Sequence, residues 1–212
     1  MTNLKKQPMA YYVIGFNVIM FFILGMFVPQ EYFLLQANSF ENPTSLVLSN
    51  FMHGGFIHLA ANMFCVYQLR QNFESIYQKR EQFAIYFLSA IPIGIICCIW
   101  LYLVGSINHA VGYSGIVMAI LGTLFRHFDG KTLRNVCLFL IAYHVIMIFV
   151  LKMPIFWEGH LVGLIVGIAY SYNRVAHESR KKENTTLTDQ DFDDFFDSSK
   201  NKKSKKDFLF FC

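Results

Sequence analysis

No aspartate or glutamate lies deep within any long apolar run of this chain, which excludes chemistry built on a pair of buried carboxylates. The sequence also lacks His-Glu-x-x-His, the helical zinc signature. Its five cysteines, Cys65, Cys97, Cys98, Cys137 and Cys212, show neither metal-ligand nor redox spacing. The first four sit inside apolar blocks and read as small packing residues, so no metal and no cofactor is expected. Charge is scarce, at 15% of residues, and several apolar blocks show no polar face over about four turns, which excludes a soluble helical domain. Internal repeats and charges within the apolar runs, the marks of a small transporter, are both missing. Cys212 is terminal, so the prenylation pattern, which needs three further residues, is absent. The first apolar block, 10–28, is followed by Pro29, Gln30 and Glu31 and not by a small-x-small cleavage site, so it reads as a retained helix.

What is present is hydrophobic residue in quantity, 55% of the chain, gathered in blocks. That is the composition of an all-α, multi-pass membrane protein. Six runs are candidates for spans: 10–28, 51–69, 83–104, 113–125, 136–151 and 159–173. The fourth is the shortest; at about 1.5 Å per residue it reaches roughly 20 Å of a core about 30 Å thick, so one end stops within the membrane. Three segments follow: a cytoplasmic segment 1–9, a six-helix domain 10–173 and a mobile cytoplasmic tail 174–212. Basic residues orient the bundle. Lys5, Lys6, Arg70, Lys79, Arg80, Arg126, Lys131 and Arg134 fall on one side with the tail, whereas the loops 29–50, 105–112 and 152–158 hold only Lys152. Both termini are therefore expected in the cytoplasm, and the protein in the cell membrane. The net charge of +4 points to no nucleic acid, since half of the basic residues lie in the tail after Tyr172, interleaved with acids; membrane lipid is the expected contact.

This orientation puts Ser114 near the extracytoplasmic side but recessed, with the loop 105–112 dipping to meet it. Irregular backbone at that depth is tolerated where it lines a wet cavity. The polar residues of the other spans collect on the same side: His58 and Asn62, four apart and so on one helix face, and His160. A hydroxyl, two imidazoles and an amide are the parts for acyl transfer. Serine needs a neighbouring base, and His160 serves if the fourth and sixth spans touch. Gly115, Ala119 and Gly122 on one, and Gly163 and Gly167 on the other, allow that close approach. Asn62, His58 and the backbone N–H of Ser114 are the candidate donors to an oxyanion. Gly112 and Gly115 let the chain turn sharply and a substrate come near.

His58-x-x-x-Asn62, Gly112-x-Ser114-Gly115 and His160-x-x-Gly163-x-x-x-Gly167, in this order, resemble the motifs of the rhomboid family of intramembrane serine proteases. The resemblance covers about residues 10–173. It implies a six-helix rhomboid-like bundle with a short, recessed fourth helix, a dyad of Ser114 and His160 without an acid, and oxyanion contacts from His58 and Asn62. It implies single-span membrane proteins as substrates. His53, where the family often has a histidine, reads as a structural or supporting group. The Trp-Arg pair that braces the family's first loop has no counterpart in 29–50. Before His160 the small Gly159 fits the family, whereas Phe156, Trp157 and Glu158 are bulky or charged.

The same residues have plainer meanings. His160 alone reads as a packing histidine, and His58 with Asn62 as an interhelical hydrogen bond that glues the bundle. His144 has no recognised partner and reads as a packing or gating residue; His109, His127 and His177 read as solvated. A non-catalytic rhomboid-like protein that binds or escorts membrane helices is the alternative function. Such relatives typically lack the serine or the histidine, and both are here.

Overall fold

The computed structural model describes residues 7–29, 32–107, 109–150 and 155–180. Lys5, Lys6, Lys152 and the tail from 181 onward lie outside the described residues, so the expectation of a mobile tail is not addressed there. Seven α-helices occur among the described residues: α1 (Met9–Phe27), α2 (Pro43–Leu48), α3 (Phe56–Ile76), α4 (Lys79–Leu103), α5 (Ser114–Leu124), α6 (Gly130–Val150) and α7 (157–180). One isolated antiparallel bridge joins Leu35 to Ala110. The all-α expectation is met.

Among the described residues two helices, α4 and α6, are long and apolar enough to cross a membrane; Met9–Ile23 and Ser114–His127 are shorter apolar stretches. Six clear spans are therefore not reached. The second candidate falls short for a physical reason, because α3 starts at Phe56 instead of 51 and its last turns carry Arg70, Gln71, Asn72 and Glu74. The fourth is as short as expected, with 11 residues before a 3₁₀ turn over Phe125–His127. At the other end, residues 174–180, assigned to the tail for want of a helical period, are helical.

The chain divides into two compact units, Met1–Ser171 and Tyr172–Cys212. In the second, Arg174 and Glu178 form an i,i+4 ion pair at 3.2 Å on the last turns of α7. The first unit holds the core. Glu74, far along α3, accepts the N–H groups of Met9 and Ala10 at 2.9 and 2.7 Å, which satisfies two orphan donors at the start of α1 and sets a negative charge on its positive end. Tyr86 of α4 donates to the same carboxylate at 3.2 Å. A single acid thus ties three helices together. At the start of α6, Asp129 accepts the Thr132 N–H at 2.6 Å, and that bond holds its carboxyl below the ordinary value.

Without the Trp-Arg pair, the loop 29–50 is braced by short polar contacts. The Leu35–Ala110 bridge ties it to the loop before α5, through bonds of 3.1 and 2.9 Å. Cys98 Sγ donates to Gln36 O at 3.3 Å, and Asn42 Nδ2 to Tyr32 O at 2.9 Å. Gly94 admits the backbone of α2, since a Cβ there would collide with the carbonyl of Leu46.

Helices α5 and α7 meet backbone to backbone. A Cβ on Gly163 would collide with the Gly115 carbonyl oxygen and lie 2.8 Å from its carbon; one on Gly167 would meet Ala119 in the same way, and one on Gly122 would strike the Leu164 carbonyl. Gly15 of α1, by contrast, has nothing within 4 Å of its absent side chain. Gly167→Ala is therefore expected to lower stability by about 1–3 kcal/mol through forced separation of the two helices. Gly15→Ala should leave it unchanged or raise it by up to about 1 kcal/mol, because only helix propensity changes. Thermal unfolding of both variants in detergent checks the pair.

Candidate functional site

Ser114 opens α5, and the residues before it fix where it stands. Gly112 takes φ +126°, a region that side-chain-bearing residues avoid, and its N–H donates to Ser49 O at 2.9 Å. Tyr113 follows, fully buried, and its hydroxyl donates to Tyr86 O at 2.6 Å. Phe51 packs against the Tyr113 ring at 5.7 Å between centroids. Buried Asn50 donates to the carbonyls of Leu46 and Ala90 at 3.2 and 3.4 Å, linking α2 to α4 beside Gly115. The hydroxyl of Ser114 thus sits on a backbone anchored on its N-terminal side, at a helix start whose first N–H groups have no partner within the helix.

His160 lies in the first turn of α7, and its Nε2 stands 2.8 Å from Ser114 Oγ. The Gly163–Gly115 contact, less than one turn away, sets that approach. Ser114 and His160 are both part-buried, so neither is sealed from the medium around it.

His58 and Asn62 share one face of α3, as their spacing requires, and both converge on Gly112. A Cβ added there would lie 2.6 and 2.8 Å from Cε1 and Nε2 of His58 and 3.7 Å from Nδ2 of Asn62. Asn62 is buried, and its Nδ2 donates to no group among the described residues. A buried donor without a partner costs free energy, and here it lies beside the residue two places before the serine. His53 is buried with its ring edge-on to His58, centroids 5.3 Å apart, so it backs that imidazole without reaching the serine in any contact described.

His144, read from the sequence as a packing or gating residue without a recognised partner, has one here. It projects from α6, with Nε2 2.8 Å from Nδ1 of His160 and Nδ1 2.7 Å from Leu140 O. No motif signals this, because the partner is on another helix; the signal available was only that His144 is a costly polar group in an apolar run. His109 and His177 are exposed, and His127 is exposed with an edge-on contact to the Tyr77 ring. Phe156 covers Gly159, where a Cβ would come within 2.7 Å of its ring, so the bulky residue before His160 dictates the small one.

Gly112→Ala places a methyl group against the His58 ring and strains the backbone by about 1–3 kcal/mol. It should cut the rate at which a fluorophosphonate labels Ser114 by about tenfold or more, since each 1.4 kcal/mol is worth tenfold. Circular dichroism should show unchanged helix content; labelling at the parent rate would contradict the packing just described.

No curated protein matches the chain. A model of the rhomboid domain matches residues 41–177, from the loop before α2 into α7, and this stretch holds His58, Asn62, Gly112, Ser114, His144 and His160. The match covers well over half of the 212 residues, so the chain belongs to the rhomboid family, whose members are embedded in membranes and are mostly serine proteases.

Proposed function

We propose that this protein is an intramembrane serine endopeptidase that cuts transmembrane segments of single-span membrane proteins through Ser114 and His160. The observation that carries the reading is the 2.8 Å approach of Ser114 Oγ to His160 Nε2 from two different helices. General-base activation of a weak nucleophile needs that distance.

In the proposed reaction Ser114 Oγ attacks the scissile carbonyl carbon while its proton passes to His160 Nε2. The carbonyl oxygen becomes an oxyanion, met by the Asn62 amide, His58 and the backbone N–H of Ser114. Collapse breaks the C–N bond, and His160 returns the proton to the leaving amine. Water then attacks the acyl ester, losing a proton to His160, and frees Ser114. Transmembrane helices bond their own carbonyls internally, so segments with helix-breaking or small residues near the cut are the preferred substrates.

The topology belongs to the same proposal: α1, α3, α4, α5, α6 and α7 as six membrane helices, both termini cytoplasmic, and Ser114 recessed from the opposite face in the cell membrane. The distribution of Lys and Arg among the loops supports it. The short α5 supports the recess, since 11 residues reach only part of the way across.

Ser114→Ala and His160→Ala are each expected to abolish cleavage of a model single-span substrate in proteoliposomes. Asn62→Ala should lower kcat by about 10²–10³-fold, the usual loss on removing one oxyanion donor. Unaltered cleavage by either dyad variant would refute the mechanism. Helix binding without cleavage by the parent protein would instead favour the non-catalytic, escorting alternative.

A further inference from the structure

The direction of every proton in the chain Leu140–His144–His160–Ser114 follows from one end. The carbonyl oxygen of Leu140 can only accept, so the nitrogen 2.7 Å from it, Nδ1 of His144, carries the hydrogen. A neutral imidazole with hydrogen on Nδ1 has a lone pair on Nε2. That lone pair stands 2.8 Å from Nδ1 of His160, which must therefore be the donor. The Nε2 of His160 is then bare, 2.8 Å from Ser114 Oγ, and the serine hydroxyl donates to it. The arrangement is the one a base needs. Without His144, the His160 proton is free to sit on Nε2, where the imidazole can accept nothing from serine.

We infer that His144 is a positioning residue that selects the reactive tautomer of His160 and holds its ring toward Ser114. When His160 takes the serine proton it becomes a cation with hydrogen on both nitrogens, and His144 Nε2 accepts the Nδ1–H of that cation. No bond to substrate is made by His144, and its own proton stays on Nδ1 throughout. The two rings meet nearly edge to face, at 71° with centroids 5.1 Å apart, which suits a hydrogen bond in the plane of the accepting ring. The catalytic part of this inference rests on the proposed function; the hydrogen-bond part does not.

Two measurements test the two parts separately. Nitrogen-15 NMR of histidine-labelled protein in detergent, with the His160 signals assigned by their loss in His160→Ala, reads the tautomer without any catalysis. The parent protein should show protonated Nδ1 and bare Nε2 at His160, and His144→Leu should shift the ring toward the Nε2–H form. An unchanged tautomer in His144→Leu would overturn the inference. The second measurement is kinetic. His144→Leu should slow fluorophosphonate labelling and lower kcat about 10- to 100-fold with KM unchanged, the loss expected for one hydrogen bond to a charged group. In His144→Gln the amide oxygen accepts from His160 Nδ1 while the amide nitrogen donates to Leu140 O, and rates should return to within about threefold of the parent. If His144→Gln is as slow as His144→Leu, the residue acts by packing and the inference fails. If the parent is not labelled at Ser114 at all, the proposed function and the catalytic part fall together, and the NMR result alone decides the tautomer.

Discussion

The site depends on two helices being allowed to touch at their backbones. Inside a bilayer, lipid chains are as apolar as leucine, so helices gain little by hiding apolar side chains from one another. What holds α5 to α7 is close packing, and that is available only where side chains are absent. Gly163 meets the carbonyl of Gly115, Gly167 that of Ala119, and Gly122 that of Leu164. The first of these contacts is one residue after the serine and three after the histidine. A single methyl group on that seam would push the helices apart by a distance comparable to the slack in a hydrogen bond, which weakens steeply beyond about 3.2 Å. The reach of His160 to Ser114 is a consequence of glycine content.

The other side of the serine is held by polar contacts that a soluble protein would leave to water. Gly112 donates to Ser49, Tyr113 to Tyr86, and Asn50 to Leu46 and Ala90, so the segments before α5 are pinned to α2 and α4 by donors whose alternatives in an apolar medium are few. Asn62 departs from this pattern, with a buried Nδ2 that no described group satisfies. Leaving that amide unpaired beside Gly112 costs stability. An oxyanion is the partner that would recover that cost, and it would do so only in the transition state.

The parts of this arrangement that periodicity encodes were legible in the sequence. The four-residue spacing of His58 and Asn62 and the glycine faces of α5 and α7 are properties of single helices, and the local pattern specifies them. The shortness of α5 was equally visible in its apolar run. Helix ends were less so. The run beginning at 51 takes in Phe51, the last residue of a 3₁₀ turn, and an extended stretch before α3, because apolar loop residues look like helix. Residues 174–180 look polar yet continue α7, since a helix already nucleated extends cheaply into solvent. Beyond the seam that the glycines and the Ser114–His160 pair announced, contacts across the bundle were not legible. Nothing near Glu74 in sequence announces that it caps α1, more than sixty residues earlier, and nothing near His144 announces His160.

On the proposed function, a third member that is histidine, where soluble serine hydrolases place a carboxylate, fits the medium. An aspartate in that position stabilises the imidazolium well, but it must remain charged in the resting state, and a charge inside a bilayer costs several kcal/mol unless it is paired. A neutral imidazole carries no such cost at rest. It presents one lone pair and one N–H in fixed directions, and the Leu140 carbonyl already decides which nitrogen is which. The two tasks of the acid are thereby separated: orientation and tautomer are kept, and strong electrostatic stabilisation of the cation is given up. The helix that supplies this group is also the one with the least support, for the α-helical part of α6, Gly130–Val145, has no buried residue. The hydrogen bond to His160 is therefore a contact on which the register of α6 bears directly, so on the proposed function any movement of that helix is felt at the base before it is felt at the nucleophile.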